Sequence, residues 1–283
     1  MILSILLPLL AQVGPSVGVG AGGSLPQAPL EIPRKKSEAV AAAPAPLTPA
    51  AQCRKLLAGN AAEAQAYAEK WLKDLKGSAR VEPGQCLGMA LAAQGQWDEA
   101  EAAFTEARGL TPANEPVGRA RLGGMAGNAL LAAGKAEASL ARLDAAHGEA
   151  LGAGDARLAG EISIDRARAL VALKRDGDAA TALATARTNA AENGQGWLLS
   201  ATLSRRQGKL AEAQQQIQVA AQLMPLDLEV GLEAGVIAVL AGNDGAARRS
   251  WLSVVRAAPG SETARTAQSY LDQLGPDPAP SGR

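Results

Sequence analysis

Few residues in this chain combine the type and spacing that chemistry requires. The single histidine, His147, stands in LDAAHGEALGAG with no partner His, no HExxH pattern and no cysteine close in sequence. A metal wants three or four clustered donors, and a nucleophile wants a positioned base. Near the end of an expected helix, His147 is better matched to the negative end of the helix dipole. Gly18, Gly20 and Gly23 spell GxGxxG, but that fingerprint holds a pyrophosphate only where a strand ends and a helix begins. Here an apolar, export-like run precedes it and Pro26 follows. Asp98, Glu99, Glu101 and Glu106 read as helix-start and solvated-face charges rather than an acid–base pair. Cys53 and Cys86 leave three readings open: a disulfide, two buried small hydrophobes, or a redox or metal pair. No catalytic, cofactor-binding or metal-ligating residue is therefore assigned, and the chain reads as a non-enzyme.

The elements that must position any site are helices packed at close range. Of the 283 residues, 47% are hydrophobic but only 2% aromatic, so the core is filled by small aliphatic side chains. Small side chains favour closely packed helices over a broad β-core. Twenty-eight basic residues balance 28 acidic ones, so no global charge draws the chain to nucleic acid or an anionic surface. The first segment, 1–24, carries an apolar run from Ile2 to Leu10 and no charge, which resembles a secretory signal peptide. Two other readings stand beside it: an uncleaved, disordered N-terminal tail, and a retained membrane anchor, which is disfavoured by Pro8, Pro15 and the glycines and by Arg34, Lys35 and Lys36 beyond the run. Residues 25–50 form a Pro/Ala-rich linker, 51–274 a helical domain, and 275–283 a Pro/Gly-rich tail. The expected location is periplasmic or secreted.

Within the helical domain the sequence repeats. From 81 to 114, Leu87, Gly88, Leu91, Gly95, Ala100, Phe104, Ala107 and Pro112 fall in a fixed order. The same order returns at 194–227 with Trp197, Ala201, Gly208, Ala213, Ile217, Ala220 and Pro225. It returns again at 228–261 with Gly235, Ala238, Gly242, Ala247, Trp251, Val254 and Pro259. This spacing resembles the tetratricopeptide repeat, W-x2-L-G-x2-Y, a turn glycine, A-x3-F, Ala and Pro over about 34 residues. Departures are plain: Gly84 stands at the Trp place of the first copy, and Ser200 and Ser204 replace Leu and Tyr in the second. Weaker units at 160–193 and 120–153 fit with short insertions before them, and about 45–78 fits least, with Gly59 as its turn. The unit at 160–193 has no glycine at the turn place.

The resemblance implies an all-α, right-handed α-solenoid of antiparallel helix pairs, about six repeats long, with 262–274 as a solvating C-terminal cap. In such a stack Cys53 and Cys86 lie about one period apart on neighbouring first helices, within reach of a bridge. Repeats of this kind line an inner groove with their first helices and hold an extended peptide or partner helix there. At groove-facing places stand Arg168, Leu198, Thr202, Arg205, Leu232 and Val236, with Asn128 earlier and Val239 later. Arg168, Arg205 and Arg206 could meet a carboxylate while the last repeat offers an apolar anchor. The chaperone-tail clamp of some members needs Lys and Asn at fixed places, and only Asn128 falls at one. The expected function is a protein-interaction scaffold whose partner is another protein or peptide. The alternative is an accessory subunit or ligand-cleft protein of an envelope transport or enzyme complex.

Overall fold

The structure, a computed structural model, describes residues 47–276. The segment expected to be a signal or an anchor, most of the expected linker and most of the expected tail lie outside the described residues. Those described fold into six helix pairs and a final helix. The pairs are α1 (Pro49–Gly59) with α2 (Ala61–Leu72), α3 (Val81–Ala93) with α4 (Trp97–Leu110), and α5 (Pro116–Ala132) with α6 (Ala136–Gly152). They continue as α7 (Ala156–Ala172) with α8 (Asp176–Asn189), α9 (Gly194–Arg206) with α10 (Leu210–Leu223), and α11 (Leu228–Leu240) with α12 (Asp244–Ala257). Last comes α13 (Glu262–Leu274). The middle helices α5, α6 and α7 each run 17 residues, so the short insertions flanking those units lengthen helices as the spacing suggested.

Turn chemistry divides the pairs. Gly95, Gly134, Gly154, Gly208 and Gly242 adopt φ between 75° and 77°, the left-handed turn that spares only glycine a Cβ clash. Where 160–193 has no glycine, Lys174 takes the same turn at φ 58°. The first pair differs from expectation: Gly59 ends α1 without a left-handed turn, and the single residue Asn60 makes the link in extended conformation. Its side-chain oxygen accepts from the backbone N–H of Ala62 and Glu63, while its amide donates to Glu63. One asparagine thus both turns the chain and caps α2.

Each pair closes by setting a large residue of the second helix against a small one of the first. A Cβ added at Gly88 would meet Cε1 of Phe104 at 2.5 Å, and one at Gly127 would meet Cγ of Leu143 at 2.6 Å. At Gly235 the indole of Trp251 fills the same space and donates from Nε1 to the Leu232 carbonyl. The ring of Phe104 is 3% exposed and also packs with Leu122, Ala126 and Ala129 of α5. It therefore serves its own pair and the joint to the next. Cys53 on α1 and Cys86 on α3 are joined by a disulfide, with Cα atoms 6.2 Å apart. Tyr67, Trp71 and Leu57 pack around it, which ties the first pair to the second.

Candidate functional site

Most first helices of successive pairs touch one another, α1 with α3, α5 with α7, α7 with α9 and α9 with α11, and α11 touches the final helix α13. Among the described residues no comparable contact joins successive second helices. Packing that is tighter on one side bends the stack, so the first helices line its inner face.

Two apolar clefts open on that face. One, of about 180 Å³, lies between α7 and α9, with Val171, Leu199 and Thr202 on its walls and Arg168 and Arg206 at its edge. The other, of about 320 Å³, lies between α11 and α13, lined by Val236, Val239, Leu240, Tyr270 and Leu274 over the ring of Trp251. Leu240 is 53% exposed there, an unusual state for a leucine inside a groove. Tyr270 packs at a tilt on Trp251, ring centroids 5.2 Å apart, so wall and floor of the cleft are in contact.

Charged groups along the inner face pair with one another. Asn128 of α5 donates to Asp165 of α7 at 2.8 Å, and Arg168 donates to the other oxygen of Asp165 at 2.6 Å. Arg168 also reaches Gln195 of α9, so one polar chain crosses three inner helices. Burial pushes the Asp165 carboxyl above its ordinary value, opposed by the Asn128 amide and the Arg168 guanidinium. Arg205 forks onto Glu233 of α11 through two hydrogen bonds of 2.6 and 3.2 Å, with only 23% and 13% of the two side chains exposed. Arg206 holds Asp176 more loosely, at 3.8 Å.

The sequence-named groove residues therefore part company. Thr202 and Val236 line the clefts, and Arg168 stands at the edge of the first. Leu232 is half-buried under the second, where its carbonyl accepts from Trp251. Leu198 is 7% exposed, in the core cluster with Ile217 and Val230, and it is its neighbour Leu199 that lines the smaller cleft. Arg205 points at a carboxylate of its own chain rather than at an open groove. Leu240 and Tyr270 were missed. Expected only to solvate the last repeat, α13 buries Ala264, Ala267 and Leu271 as a cap must, yet its other side walls the larger cleft.

Elsewhere, His147 sits on α6 beside the Arg166–Asp144 pair, and its Nε2 is buried without a hydrogen-bond partner. Burial and, less, Arg166 hold its imidazole below the ordinary value, against the pull of Asp144. Among the described residues no group of three or more His, Cys, Asp or Glu is placed to hold a metal ion. No helix among them is long and apolar enough to cross a membrane.

Helix pairs packed in chain order, small residue against large, with first helices inside, define the tetratricopeptide-type solenoid. No protein-family model matches the chain, and no curated protein sequence matches it. Solved structures do match. PilW, a widely conserved type IV pilus biogenesis factor, aligns with a TM-score of 0.63 at 18% identity over 78% of this chain and 96% of that one. PilF of Pseudomonas aeruginosa aligns at 0.62 and 16% identity, again over 78% and 96%. A thermophilic TPR (tetratricopeptide repeat) protein of Thermus thermophilus aligns at 0.55 and 18% identity over 68% and 98%. What the chain shares with them at this identity is the fold.

Proposed function

We propose that this chain is a non-enzymatic protein-interaction scaffold that seats a peptide or partner helix on its inner face. The observation that carries the reading is the pair of apolar clefts along that face, between α7 and α9 and between α11 and α13. Clefts of this size take one to a few apolar side chains each, and anchors set in pockets supply most of the energy of such interfaces. Arg205 is held by Glu233, so its part is to fix the spacing of α9 and α11. Arg168 and Arg206, 40% and 49% exposed, remain at the rim of the smaller cleft for a ligand carboxylate.

The proposed address is the periplasm. Its supports are the apolar run Ile2 to Leu10 and the bridged cysteines, which suit an oxidising compartment. N-terminal sequencing of the mature chain, from a fractionated cell, checks it: an intact Met1 in the cytoplasmic fraction refutes this address.

The groove is tested by affinity purification of tagged protein from its own cells. Thr202→Trp fills the smaller cleft, and Leu240→Glu places a charge at the mouth of the larger one. A partner recovered with the parent chain and lost with both variants is the expected result. An unchanged set of recovered proteins, with both variants folded by circular dichroism, removes the inner face as the site.

A further inference from the structure

A third cleft, of about 410 Å³, lies on the outer side between α2 and α4 with α3 as its floor. Its base is apolar, formed by Leu72, Leu87 and Leu91. On α2 the lining residues Gln65, Glu69 and Leu72 follow the spacing of one helix face, and on α4 Glu99, Ala102 and Glu106 do the same. Gly84 stands where the repeat pattern has its tryptophan, so no large side chain from α3 fills the slot.

The charges around this cleft differ from those at the next joint. There, between α4 and α6, three acid–base pairs cross from one side to the other. Lys135 donates to Asp98 at 2.8 and 2.9 Å, Arg142 donates to Glu101 at 3.2 Å, and Arg108 pairs with Glu149. Between α2 and α4 acid is set across from acid. Glu106 has Arg80, at 2.9 Å, from the short turn before α3. Among the described residues Glu69 accepts only from the neutral Gln65 amide, and Glu99 has no hydrogen-bond or ion-pair partner. Arg80 is the one base lining the slot, and Glu69 and Glu99 on its two rims have no basic partner of the kind that the following joint supplies from within the chain.

We propose that this outer groove is a second docking surface, for a cationic amphipathic segment of a partner protein. The apolar side of that segment covers Leu72, Leu87 and Leu91, and its Lys or Arg side chains take Glu69 on one rim and Glu99 on the other. Such a segment supplies at this joint the acid–base pairing that α6 supplies to α4. Anionic surfaces, nucleic acid included, are repelled by the same rims.

The test uses the full chain and a fluorescein-labelled amphipathic peptide with a leucine stripe flanked by lysines, read by anisotropy. Its sister peptide has every lysine replaced by glutamate. The lysine peptide should bind, lose affinity as salt rises, and outbind its sister. Glu69→Lys combined with Glu99→Lys should weaken it by about tenfold or more. Ala102 is exposed on the α4 wall, so Ala102→Trp plugs the slot without entering the core and should weaken the peptide comparably. Leu240→Glu, on the inner face, should leave it unchanged, which separates this surface from the inner groove. Equal binding of both peptides overturns the proposal, as does indifference of the lysine peptide to the charge variant. Loss on Ala102→Trp alone would make the slot an apolar site without charge selection, and loss on Leu240→Glu would move the binding to the inner face. Either result also rejects it.

Discussion

Glycine to alanine in a helix ordinarily stabilises, by about 0.5–1 kcal/mol, because the unfolded chain loses freedom and the helix gains a better former. Gly88 should reverse that sign. A Cβ there would lie 2.5, 2.6 and 2.8 Å from three carbons of the Phe104 ring. Carbon atoms settle at about 3.5–4.0 Å, so the ring must retreat by about 1 Å. It has nowhere to go, because it is 3% exposed and packed on its far side by Leu122 and Ala126. Overpacking of that kind costs about 1–3 kcal/mol, which exceeds the propensity gain in most of its range.

Gly148 provides the internal control. It is exposed on α6, with nothing within 4 Å of an added Cβ, so Gly148→Ala should gain the full helix term. The difference between the two variants is then the packing term alone, about 1–3 kcal/mol. Urea midpoints by far-ultraviolet circular dichroism, at unchanged slope, measure it. Adding Phe104→Leu to Gly88→Ala should recover part of the loss, with a coupling of about 0.5–3 kcal/mol. If Gly88→Ala raises the midpoint as much as Gly148→Ala does, the ring is not confined, and the account of small-against-large closure fails with it.

Four further outcomes are expected. Reducing the bridge between Cys53 and Cys86, whose sequence separation is 33, should destabilise the first pair by about 3.7 kcal/mol, by the loop-closure relation; hydrogen exchange confined to α1 and α2 reads this, and uniform exchange along the chain contradicts it. Lys174→Gly relieves a left-handed turn at φ 58° and should raise the unfolding free energy by about 0.5–1 kcal/mol, seen as a higher urea midpoint, whereas a lowered midpoint would mean that the lysine stem packs usefully. The imidazole of His147 is held below its ordinary value of 6.5, so the unfolded chain takes the proton first; stability should fall as pH drops through 6.5 towards the lower folded value, and His147→Gln should flatten that slope in pH-dependent melts. Leu198→Ala should cost about 2–5 kcal/mol of stability with inner-face binding retained, while Leu199→Ala should weaken binding with a smaller stability loss; the opposite split would return Leu198 to the groove.

The helix pairs were legible because their closure has a signature in residue size. Gly88 with Phe104, Ala201 with Ile217 and Gly235 with Trp251 keep one spacing, and the physical need for it is contact between a small and a large side chain. Where the pattern faltered, chemistry outside the pattern took over. Asn60 turns and caps the first pair, which no glycine rule would find, and Lys174 bears a strained turn that its helices impose. Arg168 with Asp165 is a local i,i+3 pair, but the pairs that join neighbouring repeats were not legible. Arg205 and Glu233 lie 28 residues apart and answer to no position within one unit. Three arginines that read as a free basic patch in one dimension are, in three, largely answered by Asp165, Glu233 and Asp176.

The groove was the least legible part, and the helix itself explains why. One residue turns an α-helix by about 100°, so a register correct to within a single position still exchanges a buried face for an open one. Leu198 and Leu199 are such neighbours, identical in type, one in the core and one on the inner wall. A first helix in a solenoid meets its own partner, the first helices on either side and any ligand, so apolar residues surround most of it and hydropathy loses its phase. The stretch Leu228–Leu240 is the extreme case, with only Glu229 and Glu233 charged, and it supplies both the core residue Ile237 and the cleft residues Val236 and Val239. What separates those two roles is the neighbour each side chain meets. For Val236 and Val239 that neighbour across the cleft is α13, which the repeat pattern does not cover. The last helix therefore decides where the inner face ends and what it can hold. Tyr270 and Leu274 turn a terminal cap into the second wall of the larger inner-face cleft.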